Sequence, residues 1–280
     1  MKLKNETKRN FIQFLFTCLF NGYAVGFAKG AIFKGVTKGI CVPVLNCYSC
    51  PGALGACPIG SMQTLLAKRG GRLSVYVLGM VMLFGVILGR VVCGFMCPFG
   101  LLQDLLYKIP CFKYTKHGKA DKVLRSLKYV VLFLLVIILP AFVRNKYGMG
   151  ETFFCKYLCP AGTIGAGLPL LLKVEALRTT VGTLFYYKLS IAIVIVLLSV
   201  VIYRPFCKYL CPLGAIYGGF NNVAFVRLKV NEDKCVSCKA CESACDMGVD
   251  ILTNINSTEC IRCGKCIDTC KQGAITRTFK

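Results

Sequence analysis

The hexapeptide CKYLCP occurs twice, at residues 155–160 and again at 207–212. Thiolates at i and i+4 share one face of a helix and can be aimed at a single metal core. The proline biases the preceding residue out of the helical region, so the helix ends or kinks there and leaves backbone N–H groups free to serve sulfur acceptors. The wider unit C-P-x-G occurs four times, beginning at Cys57, Cys97, Cys159 and Cys211. Such an internal repeat is the first thing to explain. Three copies have a partner cysteine four residues earlier, Cys93, Cys155 and Cys207, whereas the first has Cys47 and Cys50 upstream in CYSCPGALGACPIG. Two thiolates make half of a four-thiolate site, so the motifs are expected to work in pairs.

The C-terminal region carries a second cysteine pattern. Cys235, Cys238, Cys241 and Cys245 follow C-x2-C-x2-C-x3-C, and Cys260, Cys263, Cys266 and Cys270 repeat it. A zinc ribbon or a disulfide framework also uses C-x2-C pairs, but two complete four-cysteine runs in tandem fit neither well. The runs resemble a bacterial two-cluster ferredoxin, in which the fourth cysteine of each run serves the other cluster. That resemblance implies one [4Fe-4S] cluster on Cys235, Cys238, Cys241 and Cys270, and a second on Cys260, Cys263, Cys266 and Cys245. The proline that usually follows the fourth cysteine is replaced by Asp246 and Lys271.

The elements that must position these thiols are apolar. Of the 280 residues, 56% are hydrophobic and 17% charged, which points to a polytopic membrane protein rather than a soluble globule. Uncharged stretches at residues 10–28, 73–89, 129–143 and 189–203 are read as four spans. The last two are short unless the flanking Lys128, Arg144, Lys188 and Arg204 snorkel outward. Residues 161–172, with three glycines and a proline, are expected to re-enter or lie at the interface rather than cross. The basic N-terminal residues precede an apolar run long enough to be kept as the first span, so no cleaved signal peptide is expected. From residue 229 the long apolar runs cease, and residues 229–280 hold eight cysteines and seven of the 12 acidic residues. The expected fold class is therefore mainly α: a helical membrane bundle over residues 1–228, followed by a small α+β ferredoxin-like domain over 229–280.

Helices punctuated by C-x3-C-P and followed by a two-cluster ferredoxin resemble the membrane polyferredoxins of the NapH, NosR, MauN and CcoG type. CGFMCPFGLLQDLLYKI, CKYLCPLGAIYGG and the eight tail cysteines carry the resemblance, which runs from about residue 73 to the C-terminus. The motif at Cys155 and the N-terminal Cys47, Cys50 and Cys57 are additional to the two motifs typical of that family. A chain that starts inside and crosses four times puts Cys93, Cys97, Cys207 and Cys211 on the inner side as a third cluster site. Cys50, Cys57, Cys155 and Cys159, with Cys47 as alternate, then form a fourth on the outer side. The resemblance implies a multi-pass protein of the cell membrane with a cytoplasmic C-terminal domain. It would relay electrons between a soluble ferredoxin-like carrier and a quinone or an extracytoplasmic redox partner. A quinol-oxidising subunit running the opposite way, and a metal- or cofactor-reducing maturation factor, are the alternatives.

Other features take plainer readings. The formal charge of +23 would suggest nucleic acid on a soluble protein, but here the basic residues border apolar runs, where lipid headgroups account for them. Cys18 and Cys111 read as incidental free thiols, and Cys41, near the outer group, is a candidate spare ligand left out of the assigned set. His117 is the single histidine, which excludes a bis-histidine haem within the chain. Tyr186 and its neighbours suit an interfacial aromatic belt as well as a quinone pocket. No phosphate loop or nucleophile–base pair stands out, so the chain has no visible catalytic site of its own.

Overall fold

The computed structural model describes residues 4–68, 74–114, 118–146 and 148–279. Leu73 and His117 lie outside the described residues. Helix Lys4–Phe20 ends before Asn21 and Gly22, so the first apolar stretch is divided between it and the short helix Ala24–Lys29. The second stretch forms the 14-residue helix Val75–Leu88, only ~21 Å long at 1.5 Å per residue. The two stretches that look short in sequence form the longer helices. Ala120–Phe142 has 23 residues and Thr183–Val201 has 19, because each begins several residues before its apolar run. Among the described residues these are the two helices long and apolar enough to cross a membrane. Only 28% and 17% of their apolar windows are buried in the protein, so most of that apolar surface is exposed.

Ala120–Phe142 changes from α to π winding over Val131–Ile138, just before Pro140, which has no N–H to offer the preceding turn. The stretch at residues 161–172 is helical from Pro160 to Lys173, through a π-wound segment Thr163–Gly167. It packs on Ala24–Lys29 and is too short to cross.

The snorkelling expectation fails for two of its four residues. Lys128 and Arg204 have no exposed surface and turn inward to carboxylates, Lys128 to Glu259 and Arg204 to Asp104. A charge in an apolar layer is tolerated when a partner inside the protein neutralises it, and here the partners are supplied by other segments. Arg144 is exposed, and Lys188 is half-buried with its ammonium 3.1 Å from the Cys155 carbonyl oxygen.

Each C-P-x-G motif starts a new helix. Pro58–Ala67, Pro98–Tyr107, Pro160–Gly162 and Pro212–Phe220 all have proline in the first turn, where its missing N–H costs nothing. The cysteine before each proline is the N-cap, with extended backbone. These helix starts and the short helices Val91–Phe95 and Pro205–Tyr209 pack into one core around Ile59, Val92, Phe154, Phe206 and Tyr217.

The C-terminal unit is tied by strands β1 (Val226–Val230) and β2 (Ile275–Phe279), antiparallel with Leu228 opposite Arg277. Strand β1 straddles residue 228, where the composition changes. Its two cysteine loops repeat a backbone pattern: Ser237 and Lys239 in one, and Arg262 and Gly264 in the other, all have positive φ. Left-handed residues alternating through a loop turn successive N–H groups toward a common centre, the geometry of an anion nest.

Candidate metal centres

None of the 20 cysteines is joined in a disulfide, and most gather into groups. Cys211 lies within electrostatic reach of Cys207, Cys93 and Cys97, and Cys207 within reach of Cys97. This is one quartet, drawn from the ends of Val75–Leu88 and Thr183–Val201. Cys155 and Cys159 lie within reach of each other and of Cys57 and Cys47. Cys50 lies beside the same group: it packs with Cys47, Ala53 and Ala166, and a Cβ at Gly165 would meet its Sγ at 4.0 Å. Lys38 donates to the carbonyls of Cys50 and Ala53 there.

In the tail, Cys266 lies within reach of Cys263, Cys260 and Cys245, and these four line an internal cavity with Met247, Ile251 and Ile261. Cys241 lies within reach of Cys270 of the other run. Cys235 is half-buried and Cys238 exposed, on the loop before helix Ala240–Ser243. Cys18 and Cys111 are exposed and Cys41 is buried beside Met62 and Val77.

The donors around the membrane quartets match anionic sulfur. In each C-P-x-G unit the glycine N–H is directed at the N-cap cysteine, at 3.4 Å for Gly214 on Cys211. A helix start also puts the positive end of its dipole at that sulfur. Two of these glycines are also tightly packed: a Cβ at Gly100 would meet the Cys93 carbonyl oxygen at 3.1 Å and one at Gly214 the Cys207 carbonyl oxygen at 3.2 Å, each within its own motif. Gly162 faces the other half-site, with Cys47 Sγ at ordinary contact distance from where its Cβ would be. Residues 45 and 46 serve both quartets, with the Leu45 N–H directed at Cys97 and the Asn46 N–H at Cys57.

Glutamines complete the two sites in the same way. Gln63 donates to Cys155 Sγ at 3.3 Å and accepts from the Phe154 N–H at 2.9 Å. Gln103 donates to Cys207 Sγ at 3.1 Å and accepts from the Phe206 N–H at 3.2 Å. Neither belongs to the cysteine motifs themselves, yet the signal is present: CPIGSMQ and CPFGLLQ place glutamine six residues after the N-cap cysteine.

The two quartets differ in their charges. Arg204, in the left-handed region at φ 47°, bonds Asp104 at 2.6 Å and the Cys93 carbonyl oxygen at 2.7 Å. Arg90 bonds the Cys207 carbonyl oxygen at 3.1 Å and Glu259 at 3.1 Å. Both guanidiniums are fully buried beside the Cys93/Cys207 quartet. The Cys57/Cys155 quartet has Lys188 at its edge.

The groups are contiguous. Tyr217 is fully buried, bonds the Pro43 carbonyl oxygen at 3.0 Å, and lies within electrostatic reach of Cys93, Cys97, Cys41 and Cys57. On the opposite flank, Gly94 lies so close to the tail that a Cβ would meet the Ile261 carbonyl oxygen at 2.6 Å. Asn221 secures that contact through the carbonyls of Ser257 and Cys260, each at 2.8 Å.

Among the described residues, no three His, Cys, Asp or Glu side chains converge tightly enough to hold a single ion. A zinc site needs four ligands about 2.0–2.3 Å from one ion. Cysteines gathered near one another, with backbone N–H groups turned to their sulfurs, are the donor set an iron–sulfur core takes.

The comparisons with known proteins agree with that chemistry. A 4Fe-4S binding domain matches residues 55–76, 72–117, 129–173 and 185–231, so every C-P-x-G motif falls in a matched segment. A second model of the same description matches 228–249 and 253–276. An uncharacterized protein of Methanocaldococcus jannaschii is 33% identical over 69% of this chain and 69% of its own length. The ferredoxin-type protein NapH of Haemophilus influenzae is 24% identical over 67% of this chain and 59% of its own. The methylamine utilization ferredoxin-type protein MauN of Paracoccus denitrificans is 28% identical over 56% and 48%. The chain thus spans between about half and two thirds of the length of these relatives. No solved structure matches.

Proposed function

The chain belongs to the family of ferredoxin-type 4Fe-4S membrane proteins, and from that premise we propose that it relays electrons through four [4Fe-4S] centres held in one continuous file. Each centre supplies one-electron exchange, with a potential set by charge, burial and hydrogen bonds to sulfur. Two tail centres are assigned to Cys235, Cys238, Cys241 and Cys270, and to Cys260, Cys263, Cys266 and Cys245. Cys93, Cys97, Cys207 and Cys211 hold a third, and Cys47, Cys57, Cys155 and Cys159 a fourth, with Cys50 beside it.

The observation that supports this reading is the contiguity of the groups: Gly94 abuts the Cys260–Cys263 loop, and Tyr217 lies near cysteines of both membrane quartets. The exposed Cys238, flanked by exposed Lys234 and Lys239, is the entry point for a soluble ferredoxin-like carrier on the cytoplasmic side. The Cys57/Cys155 end faces a quinone or an extracytoplasmic redox partner, with the helical bundle crossing the membrane in between. Thr183–Val201 supports that sidedness, since Lys188 near its start meets Cys155 and its end leads into the Cys207 motif.

Reduction from the tail tests the relay. With the anaerobically purified protein and a reduced soluble ferredoxin, all centres are expected to be reduced. In Cys260→Ala the membrane centres should remain loaded yet be reduced far more slowly, because the link between them and the entry point is broken. Membrane centres that fill at the wild-type rate in this variant would overturn the file.

A further inference from the structure

We propose that Gln63 and Gln103 are a matched pair of positioning residues, each setting the reduction potential of one membrane centre through an N–H donated to a ligand sulfur. The inference rests on the assignment of the two membrane quartets as cluster ligands.

Both amides are buried, Gln63 fully and Gln103 to 1% exposure. An amide taken out of water is costly unless its donors and acceptor are satisfied, and here each is. The Gln63 Nε2 donates to the Ile59 carbonyl oxygen at 3.3 Å and to Cys155 Sγ at 3.3 Å. The Gln103 Nε2 donates to the Phe99 carbonyl oxygen at 3.3 Å and to Cys207 Sγ at 3.1 Å. The orientation of each amide is fixed by its other end. Oε1 faces the N–H of Phe154 or Phe206, which needs an acceptor, so the NH2 group must face the sulfur.

The placement separates this role from ordinary packing. Six residues after the N-cap cysteine, the four motifs carry Gln63, Gln103, Gly165 and Tyr217. The donor therefore occurs only in the first motif of each pair, and it reaches the first cysteine of the second. Each glutamine joins the two half-sites and places one N–H on the sulfur charge. A donor to sulfur favours the more negative, reduced state of the centre and so raises its potential.

Midpoint potentials followed by EPR, with iron content measured alongside, test the proposal. Gln103→Met is expected to lower the midpoint of one centre by about a tenfold change in its one-electron equilibrium, which is 59 mV, and to leave the other three in place. Gln63→Met should lower a different centre by a comparable amount. Gln103→Glu keeps the shape and the acceptor for the Phe206 N–H while replacing the donor with a carboxyl group, and should lower the same centre as Gln103→Met, by more. Unchanged midpoints at full iron content would overturn the proposal, as would both methionine variants moving the same centre. Loss of the centre in both Gln103→Met and Gln103→Glu would make the residue a structural clasp and likewise overturn it. Wild-type protein with iron for the tail alone would overturn the ligand assignment itself, an outcome distinct from unmoved midpoints.

Discussion

Cys207→Ala is expected to remove one membrane centre entirely, lowering iron from ~16 to ~12 per chain, and to leave the Cys57/Cys155 centre in place. Cys207 is buried, receives the Gln103 N–H, and shares its quartet with Cys93, Cys97 and Cys211. Its loss would leave three buried thiols facing Arg90 and Arg204, with no fourth ligand to close the core. The second quartet draws its sulfurs from other segments and has its own donor, Gln63. Cys155→Ala should therefore give the same loss of iron with a different EPR signal missing. Iron and sulfide analysis with spin quantitation reads both variants. If either one abolished both membrane signals, the quartets would be a single unit and the division of the membrane cysteines into two independent sites would be wrong.

Glu259→Ala is expected to destabilise the docking of the tail unit by about 3–5 kcal/mol, because it leaves two buried cations without their carboxylate. Glu259 bonds Arg90 at 3.1 Å and also Lys128, and both cations are fully buried. Asp250→Ala provides the control, since its pair with Lys122 is about 70% exposed and such a pair contributes ~1 kcal/mol or less. Hydrogen exchange across residues 257–263 would report the difference. The same contact has a definite pH dependence. Burial alone would raise the Glu259 carboxyl, but Arg90 and Lys128 outweigh it and hold the group below its ordinary value. The stability it confers is therefore complete above about pH 4.3, the value for an unfolded chain, and is lost as pH falls through the lower folded value. Protonation of this carboxyl should therefore weaken docking in acid, and docking left unchanged well below about pH 4.3 would mean that Glu259 does not control it.

The cysteine spacing announced the chemistry because cluster ligation constrains side-chain type and interval directly. The choice between Cys47 and Cys50 lay beyond spacing, since both precede Cys57 in a loop whose path depends on contacts with Phe20, Lys38 and Ala166. Backbone donors such as the N–H groups of residues 45 and 46 leave no trace in residue type. The spans were harder to read than the motifs. Lys128 and Arg204 border apolar runs, as snorkelling anchors do, and only the distant Glu259 and Asp104 disclose that they are buried ion pairs. Helix lengths were inverted for a related reason. The charges at Arg125 and Lys128 did not end a helix, because Asp121 and Glu259 neutralise them, whereas the uncharged Asn21 and Gly22 did. Gln63 and Gln103 were legible in principle, as a repeated CPxGxxQ, but a glutamine carries no metal signature until a sulfur is found beside it.

In the proposed relay the membrane cysteines hold two centres in addition to the two of the tail. Iron and acid-labile sulfide per chain, measured on anaerobically purified protein, distinguish this arrangement from clusters in the tail alone. Four centres require close to 16 of each, with spin quantitation resolving four interacting [4Fe-4S] centres. A value near 8, retained in full when Cys93, Cys97, Cys207 and Cys211 are all replaced by alanine, would confine the clusters to the tail and contradict it.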